Sequence, residues 1–319
     1  MKLIAAFFRL IRWPNLLFII VTQVLFYTCI LMPTASVGET ALQWDTPLKL
    51  DPQYFILLVI SSGLIAAAGY IINDYFDLNI DQVNKPGAIV IQRIIRRRWA
   101  IVWHLVLSSI GAGIAFYLSW KLKNPIIGFA NFGCVLLLWL YSTSLKKQLL
   151  AGNILISLLT AWVILVIYFS ELSISRFNEP LYRSQINSVF KYAIIYSSFA
   201  FIISLIREVV KDIEDREGDA RYGCRTMPIV WGVPATKMFV SVWLIVLGSA
   251  LIIFQLYGLL KGWWVGAVYC FIAVLLPLGK ILINLRKAGI TKDYHHLSSQ
   301  IKWVMLAGIL SMVFFKWYL

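Results

Sequence analysis

An all-α, polytopic membrane bundle of nine transmembrane helices is the fold this sequence predicts, and three observations carry the prediction. Hydrophobic residues fill 60% of the 319 positions and charged residues only 14%, a balance outside the range of soluble domains. Apolar runs that cross a bilayer, or nearly so, recur at about 16–32, 54–72, 100–118, 126–141, 153–170, 189–206, 238–260, 262–279 and 303–318. Lys and Arg are concentrated in every second connecting segment. With the N-terminus inside, 21 of the 29 basic residues lie in inner segments, so the positive-inside rule predicts an odd number of spans and an outer C-terminus.

The net charge of +14 therefore reflects loops beside an anionic leaflet and calls for no nucleic acid. No obligate protein partner is implied either. Residues 1–319 read as one intramembrane domain, expected in the cell (inner) membrane. The first run follows Lys2, Arg9 and Arg12 like a signal peptide, but it exceeds a usual signal core and Pro33-Thr34-Ala35-Ser36 is a poor cleavage site. It is expected to be a retained span, entered at Pro14 from an amphipathic segment, Phe7 to Asn15, lying at the membrane surface. The outer loop of about residues 33–53 suggests no role.

The second run ends in Asn73-Asp74-Tyr75-Phe76-Asp77-Leu78-Asn79-Ile80-Asp81. On a helix this spacing places Asp74, Asp77 and Asp81 on one face, with Asn73 adjacent. Like charges so placed cost roughly 0.2–0.5 kcal/mol per pair, and a divalent cation is the natural remedy. Asp212, Asp215 and Asp219 repeat the spacing after the sixth run. Both stripes follow even-numbered spans, so parity puts them on one side, the cytoplasmic one, where two stripes facing one cavity would hold metal and phosphate together. Nine of the 15 acidic residues lie in these two places. That economy argues for function over solvation.

Between the stripes, Asn84-Lys85-Pro86-Gly87 signals a turn, Arg96, Arg97 and Arg98 read as topology determinants, and Arg93 is a candidate phosphate contact. Arg207, Lys211 and Asp215 recur at four-residue steps, as do Glu208 and Asp212, so a solvated, salt-bridged helix extension is the bland alternative there. His295 and His296 lack a third ligand in register and read as surface residues. Four scattered cysteines give no disulfide or zinc framework. Nucleotide hydrolysis, dinucleotide redox chemistry and serine hydrolysis lack their motifs.

Taken together, the stripes, the inner Lys146-Lys147 loop and the nine runs resemble the UbiA superfamily of intramembrane prenyltransferases over essentially the whole chain. Asn73-Asp74-x-x-Asp77-x-x-x-Asp81 matches that family's first motif, and Asp212-x-x-Asp215-x-x-x-Asp219 is similar to its second. Arg12 and Asn15 keep the spacing of the family's N-terminal pattern, with the proline moved to Pro14. Tyr141 precedes Lys146 by five residues, a loose match to the Tyr-x-x-x-Lys element, and the Arg-Pro-Ile-x-Ser-Gly run of the quinone and chlorophyll branches is missing after Pro86. The run from Arg207 to Asp219 is most similar to the digeranylgeranylglyceryl phosphate synthases, which prenylate a prenylated glycerol phosphate.

The resemblance implies Mg2+-dependent transfer from a prenyl diphosphate to a lipophilic acceptor. Asp74, Asp77, Asp81, Asp212, Asp215 and Asp219 would hold the metal, and Asn73 would orient the first set. Arg12, Asn15, Arg93, Lys146, Arg207 and Lys211 would bind substrate. Tyr70, Tyr75 and Phe76 could face an allylic cation. An aromatic acceptor of quinone biosynthesis is the alternative substrate. Outside the family, a CDP-alcohol phosphotransferase would need Gly where Arg216 stands, an EF-hand is blocked by the same residue, and an ion transporter would place its carboxylates near the midplane rather than at helix ends.

Overall fold

The computed structural model describes residues 2–36, 48–84, 87, 89–92 and 94–318. Arg93, with Lys85 and Pro86 of the predicted turn and much of the outer 33–53 loop, lies outside them. Among the described residues every named element is a helix, with no strand beyond an isolated bridge. Nine helices there are long and apolar enough to span a membrane: Trp13–Thr34, Pro52–Phe76, Arg97–Lys121, Pro125–Thr143, Ala151–Glu171, Pro180–Glu214, Gly232–Leu260, Trp264–Lys287 and Thr291–Lys316. This is the arrangement expected where backbone groups must be satisfied within each segment.

Each helix contains the greater part of its apolar run and most overrun it at both ends. The sixth, with 35 residues, is about 52 Å long at 1.5 Å per residue, against a hydrocarbon core of about 30 Å. Its last turns, Arg207 to Glu214, thus continue as helix where hydropathy alone had ended the span. Asp51 and Asn124 start the second and fourth spans, their side chains accepting the backbone N–H of Tyr54 at 3.3 Å and of Ile126 at 3.1 Å, each just before a proline. Proline is tolerated there because a first-turn N–H has no helical partner to lose.

The entry to the first span differs from expectation. The surface helix Lys2–Leu10 ends before Pro14, and the chain turns at Arg12, whose φ of 50° is left-handed. Pro14 instead sits inside the first helical turn. Ala6 and Leu10 are buried while Ile4, Phe8 and Trp13 are exposed, an outward apolar face suited to the headgroup region.

The chain divides into two compact units, and three spans contribute to both. One unit comprises Met1–Val24, Gly38–Lys146 and Trp162–Ala193. Its second and third spans approach closely: Ser61 donates to the Gly111 carbonyl at 2.7 Å, and a Cβ on Gly111 would stand 2.9 Å from Ile65. Small residues at such crossings let helix backbones pack without a hydrophobic driving force between them. Away from the aspartates, buried Glu171 accepts the backbone N–H groups of Lys49 and Leu50 at 3.0 and 2.9 Å.

The other unit comprises Leu25–Val37, Lys147–Ala161 and Ile194–Leu319. Its core joins Ile206, Val209 and Val210 of the sixth span to Leu297, Ile301 and Val304 of the ninth. These two helices run antiparallel in close contact. Tyr196 Oη lies 2.9 Å from Ser311 Oγ, and a Cβ on Gly308 would fall 2.4 Å from the Phe199 ring. At the far end, His295 meets Glu214 at 2.9 Å.

Candidate active site

The first aspartate stripe does not lie on one continuous helix. The helix Pro52–Phe76 stops, Asp77 takes φ −87° and ψ −1°, and a short helix resumes at Leu78–Asn84. The helical hydrogen bonds nevertheless run from Asp77 N to Asn73 O at 2.9 Å and from Asp81 N to Asp77 O at 2.8 Å. Asp215 repeats this geometry at φ −90° and ψ 4°, between Pro180–Glu214 and Arg216–Arg221, again with its flanking bonds kept, to Lys211 O at 2.8 Å and from Asp219 N at 3.2 Å. In both motifs the middle carboxylate is the bend. This corrects the straight-stripe expectation: Asp is a poor helix interior residue, and a bend changes the direction in which the like charges project.

In the first motif each of the leading aspartates is held by a cation from a distant part of the chain. Arg12 donates to Asp74 Oδ1 at 2.7 Å, and its guanidinium lies 5.4 Å from the Tyr70 ring centre. Its burial disfavours the charge, but Asp74, together with Tyr70 and Asp81, more than offsets this and raises the pKa. The left-handed backbone of Arg12 is the local cost of aiming it there, a form of strain that collects at functional sites. Lys146 donates to both Asp77 and Asn73, the latter at 3.2 Å, while the Asn73 amide donates to the other Asp77 oxygen at 2.8 Å. Asp81 is within electrostatic reach of Arg12. Asn15 closes the Arg12 turn, its N–H bonding the Arg12 carbonyl at 2.8 Å.

The second motif is organised differently. Asp212 accepts from the Asn153 amide at 2.8 Å and lies within electrostatic reach of Asp219, Glu208 and Lys211. Asp219 O receives the Cys224 N–H at 2.9 Å, and Lys147 O receives that of Arg225 at 2.8 Å. Glu208 bridges Arg207 at 3.0 Å and Lys211 at 3.2 Å. Ion pairing is what the salt-bridged-extension alternative anticipated, but these pairs run through Glu208 at steps of one and three residues rather than at the four-residue steps of that reading. Yet all six aspartates, with Arg207, Glu208 and Lys211, are partly buried, which a freely solvated face is not.

Of the residues expected from sequence, the structure brings Asp74, Asp77, Asn73, Arg12 and Lys146 together, while several partners in the two motifs were not anticipated. Asn153 could have been noticed as a polar residue opening the fifth apolar run. Glu208 was visible only as a helix charge, and the pairing of exposed His295 with Glu214 required the tertiary register. Of the proposed cation-facing aromatics, Tyr70 and Tyr75 carry Arg12 and Arg97, the latter at 4.5 Å, and Phe76 packs edge-on against Trp139.

Among the described residues no three His, Cys, Asp or Glu side chains form a ready metal cage. Mg2+ does not require one, since it takes one or two carboxylates and completes its shell with substrate phosphate and water. That Asp74 and Asp77 are already engaged by Arg12 and Lys146 shows that these carboxylates take up positive charge, so the donor set fits the ion.

Nine spanning helices among the described residues, with two bent aspartate motifs of which the first is held by Arg12 and Lys146, define an integral membrane protein equipped to handle an anionic substrate. Residues 31–309 match the UbiA prenyltransferase family, and the chain belongs to that family. It is a membrane prenyltransferase, and the ion-transporter reading falls away. The chain is 33% identical over 213 residues to the digeranylgeranylglyceryl phosphate synthase of Methanospirillum hungatei, covering 66% of this chain and 69% of that one. The synthase of Korarchaeum cryptofilum is 29% identical over 285 residues, 87% and 91% of the two chains. A solved structure of a digeranylgeranylglyceryl phosphate synthase superposes with TM-score 0.60 at 22% identity over 98% of this chain and 99% of that one. A UbiA homologue from Archaeoglobus fulgidus, bound to DMAPP and Mg2+, does so with TM-score 0.56 at 14% identity over 94% and 98%.

Proposed function

We propose that this enzyme transfers a prenyl group from a prenyl diphosphate to the hydroxyl of a prenylated glycerol phosphate. The observation that carries the acceptor assignment is the Arg207 and Lys211 pair, one turn apart on the sixth span, partly buried and joined through Glu208. A phosphate monoester, with about −1.5 to −2 charge, would use both cations more fully than the single carboxylate of a hydroxybenzoate. The digeranylgeranylglyceryl phosphate synthases among the relatives support the same reading.

In this reading Asp74, Asp77 and Asp81 hold Mg2+, as do Asp212, Asp215 and Asp219, and the two units serve a single domain's activity. Bound Mg2+ neutralises the charge developing on the departing diphosphate. Lys146 and Arg12 turn from their aspartates towards the diphosphate oxygens, and Asn15 fixes the Arg12 turn. Asn73 keeps Asp77 oriented. Arg93 is assigned to the diphosphate from sequence alone. The acceptor oxygen bonds to the allylic carbon as the bond from that carbon to the diphosphate oxygen breaks, the electron pair leaves with diphosphate, and the hydroxyl proton passes to the departing diphosphate or to water.

Membranes carrying the enzyme, given labelled geranylgeranyl diphosphate and a panel of acceptors, should form a labelled glycerol phosphate lipid identifiable by mass. Turnover of a hydroxybenzoate or dihydroxynaphthoate, with none of the phosphate lipid, would transfer the assignment to the aromatic class.

The inner-membrane location and a cytoplasm-facing site are part of the proposal, supported by span parity and by 21 of 29 basic residues in inner segments. Asn79 is exposed, and the native cysteines are buried or partly so. Asn79→Cys should therefore react with an impermeant thiol reagent in inverted vesicles and stay unlabelled in intact cells; the reverse pattern would invert the topology.

A further inference from the structure

Three cations, Arg207, Lys211 and Lys302, gather within one helical turn where the sixth and ninth spans run side by side. The contacts Tyr196 to Ser311, Phe199 to Gly308 and Glu214 to His295 set the antiparallel register, which brings Lys302 level with Arg207. That level lies about 10 Å along the helix before Glu214. Lys302 is partly buried and within electrostatic reach of both Arg207 and Lys211. Glu208 is ion-paired with the latter two, and Asp212 lies in electrostatic reach of Lys211. The Arg207 Nε–H is buried without a hydrogen-bond acceptor. Like charges brought together at the end of an apolar span repel one another unless an anion joins them, and a buried donor lacking an acceptor is costly in its own right.

We propose that Lys302 joins Arg207 and Lys211 in a binding site for a lipid phosphate, the headgroup of the prenyl acceptor, and that Lys302 sets the preference for a phosphorylated acceptor. The site lies wholly within the second unit. A phosphate monoester carries about −1.5 to −2 charge and three strong acceptor oxygens, enough to engage all three cations and the Arg207 Nε–H together. This assignment rests on the proposed function, since it needs a phosphate-bearing acceptor.

Steady-state kinetics of the full-length enzyme in nanodiscs of neutral lipid test it. Lys302→Gln should raise KM for geranylgeranylglyceryl phosphate about tenfold or more, as loss of a charged hydrogen-bond partner does. KM for the prenyl diphosphate and kcat should remain near wild type, which also shows that the variant folds. Lys302→Arg should restore most of the acceptor affinity. With the dephosphorylated glycerol ether as acceptor, wild type and Lys302→Gln should perform equally poorly. An unchanged acceptor KM in Lys302→Gln overturns the inference while wild-type turnover of the phosphate lipid leaves the function reading intact. An effect seen only when anionic phospholipid is added to the bilayer assigns the site to bilayer phosphate and overturns it too. Absence of any wild-type turnover of the phosphate lipid overturns both.

Discussion

Asp74→Ala or Asp212→Ala should reduce prenyl transfer by about a thousandfold or more while the protein still inserts in membranes, and EDTA should reproduce either loss. The size follows from charge development: removing one preorganised electrostatic contact from a transition state commonly costs about 100- to 1000-fold, and here the lost carboxylate takes metal affinity with it. The two sites should differ in their side effects. At Asp74 the truncation also removes the carboxylate to which the Arg12 guanidinium donates, leaving it against the Tyr70 ring, so thermal stability should fall together with activity. At Asp212 an isosteric Asn can still hydrogen-bond Asn153, after a flip of one amide. Asp212→Asn should therefore keep the wild-type melting temperature and still lose transfer. Radiolabelled product formation in purified membranes, with melting followed in detergent, separates these effects. Full activity in Asp212→Asn would remove the second motif from the metal assignment.

How much of this was readable from the sequence depends on the range of the interaction concerned. Span positions were legible because hydropathy is local and the bilayer imposes a length. The two motifs were legible because carboxylates are rare in such a chain and their spacing repeats. The bends at Asp77 and Asp215 were not. A spacing of three then four describes a straight helix, and only the backbone reveals that the middle residue leaves it with both flanking hydrogen bonds kept. The partners of the first motif were harder still. Arg12 reaches Asp74 across 62 positions and Lys146 reaches Asp77 across 69, and neither pairing leaves a periodic trace. Resemblance to a family supplied those residues, while the left-handed turn that aims Arg12 is a conformation for which an arginine gives no cue. Glu208 joins two basic residues that its sequence position suggested were bound for substrate, and Lys302 entered only through the register of two helices.

Lys146 allows the sharpest separation of function from topology, because Lys147 beside it carries the same charge. Both would serve the positive-inside rule equally. The structure treats them differently: the Lys146 side chain is drawn in to Asp77 and Asn73, whereas the Lys147 side chain is exposed and its backbone carbonyl accepts from Arg225. Lys147→Ala should thus leave activity within about twofold of wild type, as surface substitutions usually do. Lys146→Met keeps the length of the stem and removes the cation. Its kcat/KM for prenyl diphosphate should drop by about 100-fold or more, the cost of a lost charged contact in a partly buried site. KM for the acceptor should hardly move, since the cations proposed for the acceptor lie on other helices. Mg2+ affinity gives an independent sign. Lys146 donates to Asp77, so if Asp77 is a metal ligand as proposed, removal of the lysine relieves a competitor, and Mg2+ binding without substrate should tighten while diphosphate binding weakens. Calorimetric titration of each ligand on the same purified variant reads both directions. If Lys146→Met and Lys147→Ala lost activity to the same modest degree with Mg2+ affinity unchanged, Lys146 would be a topology residue and its contact with Asp77 incidental.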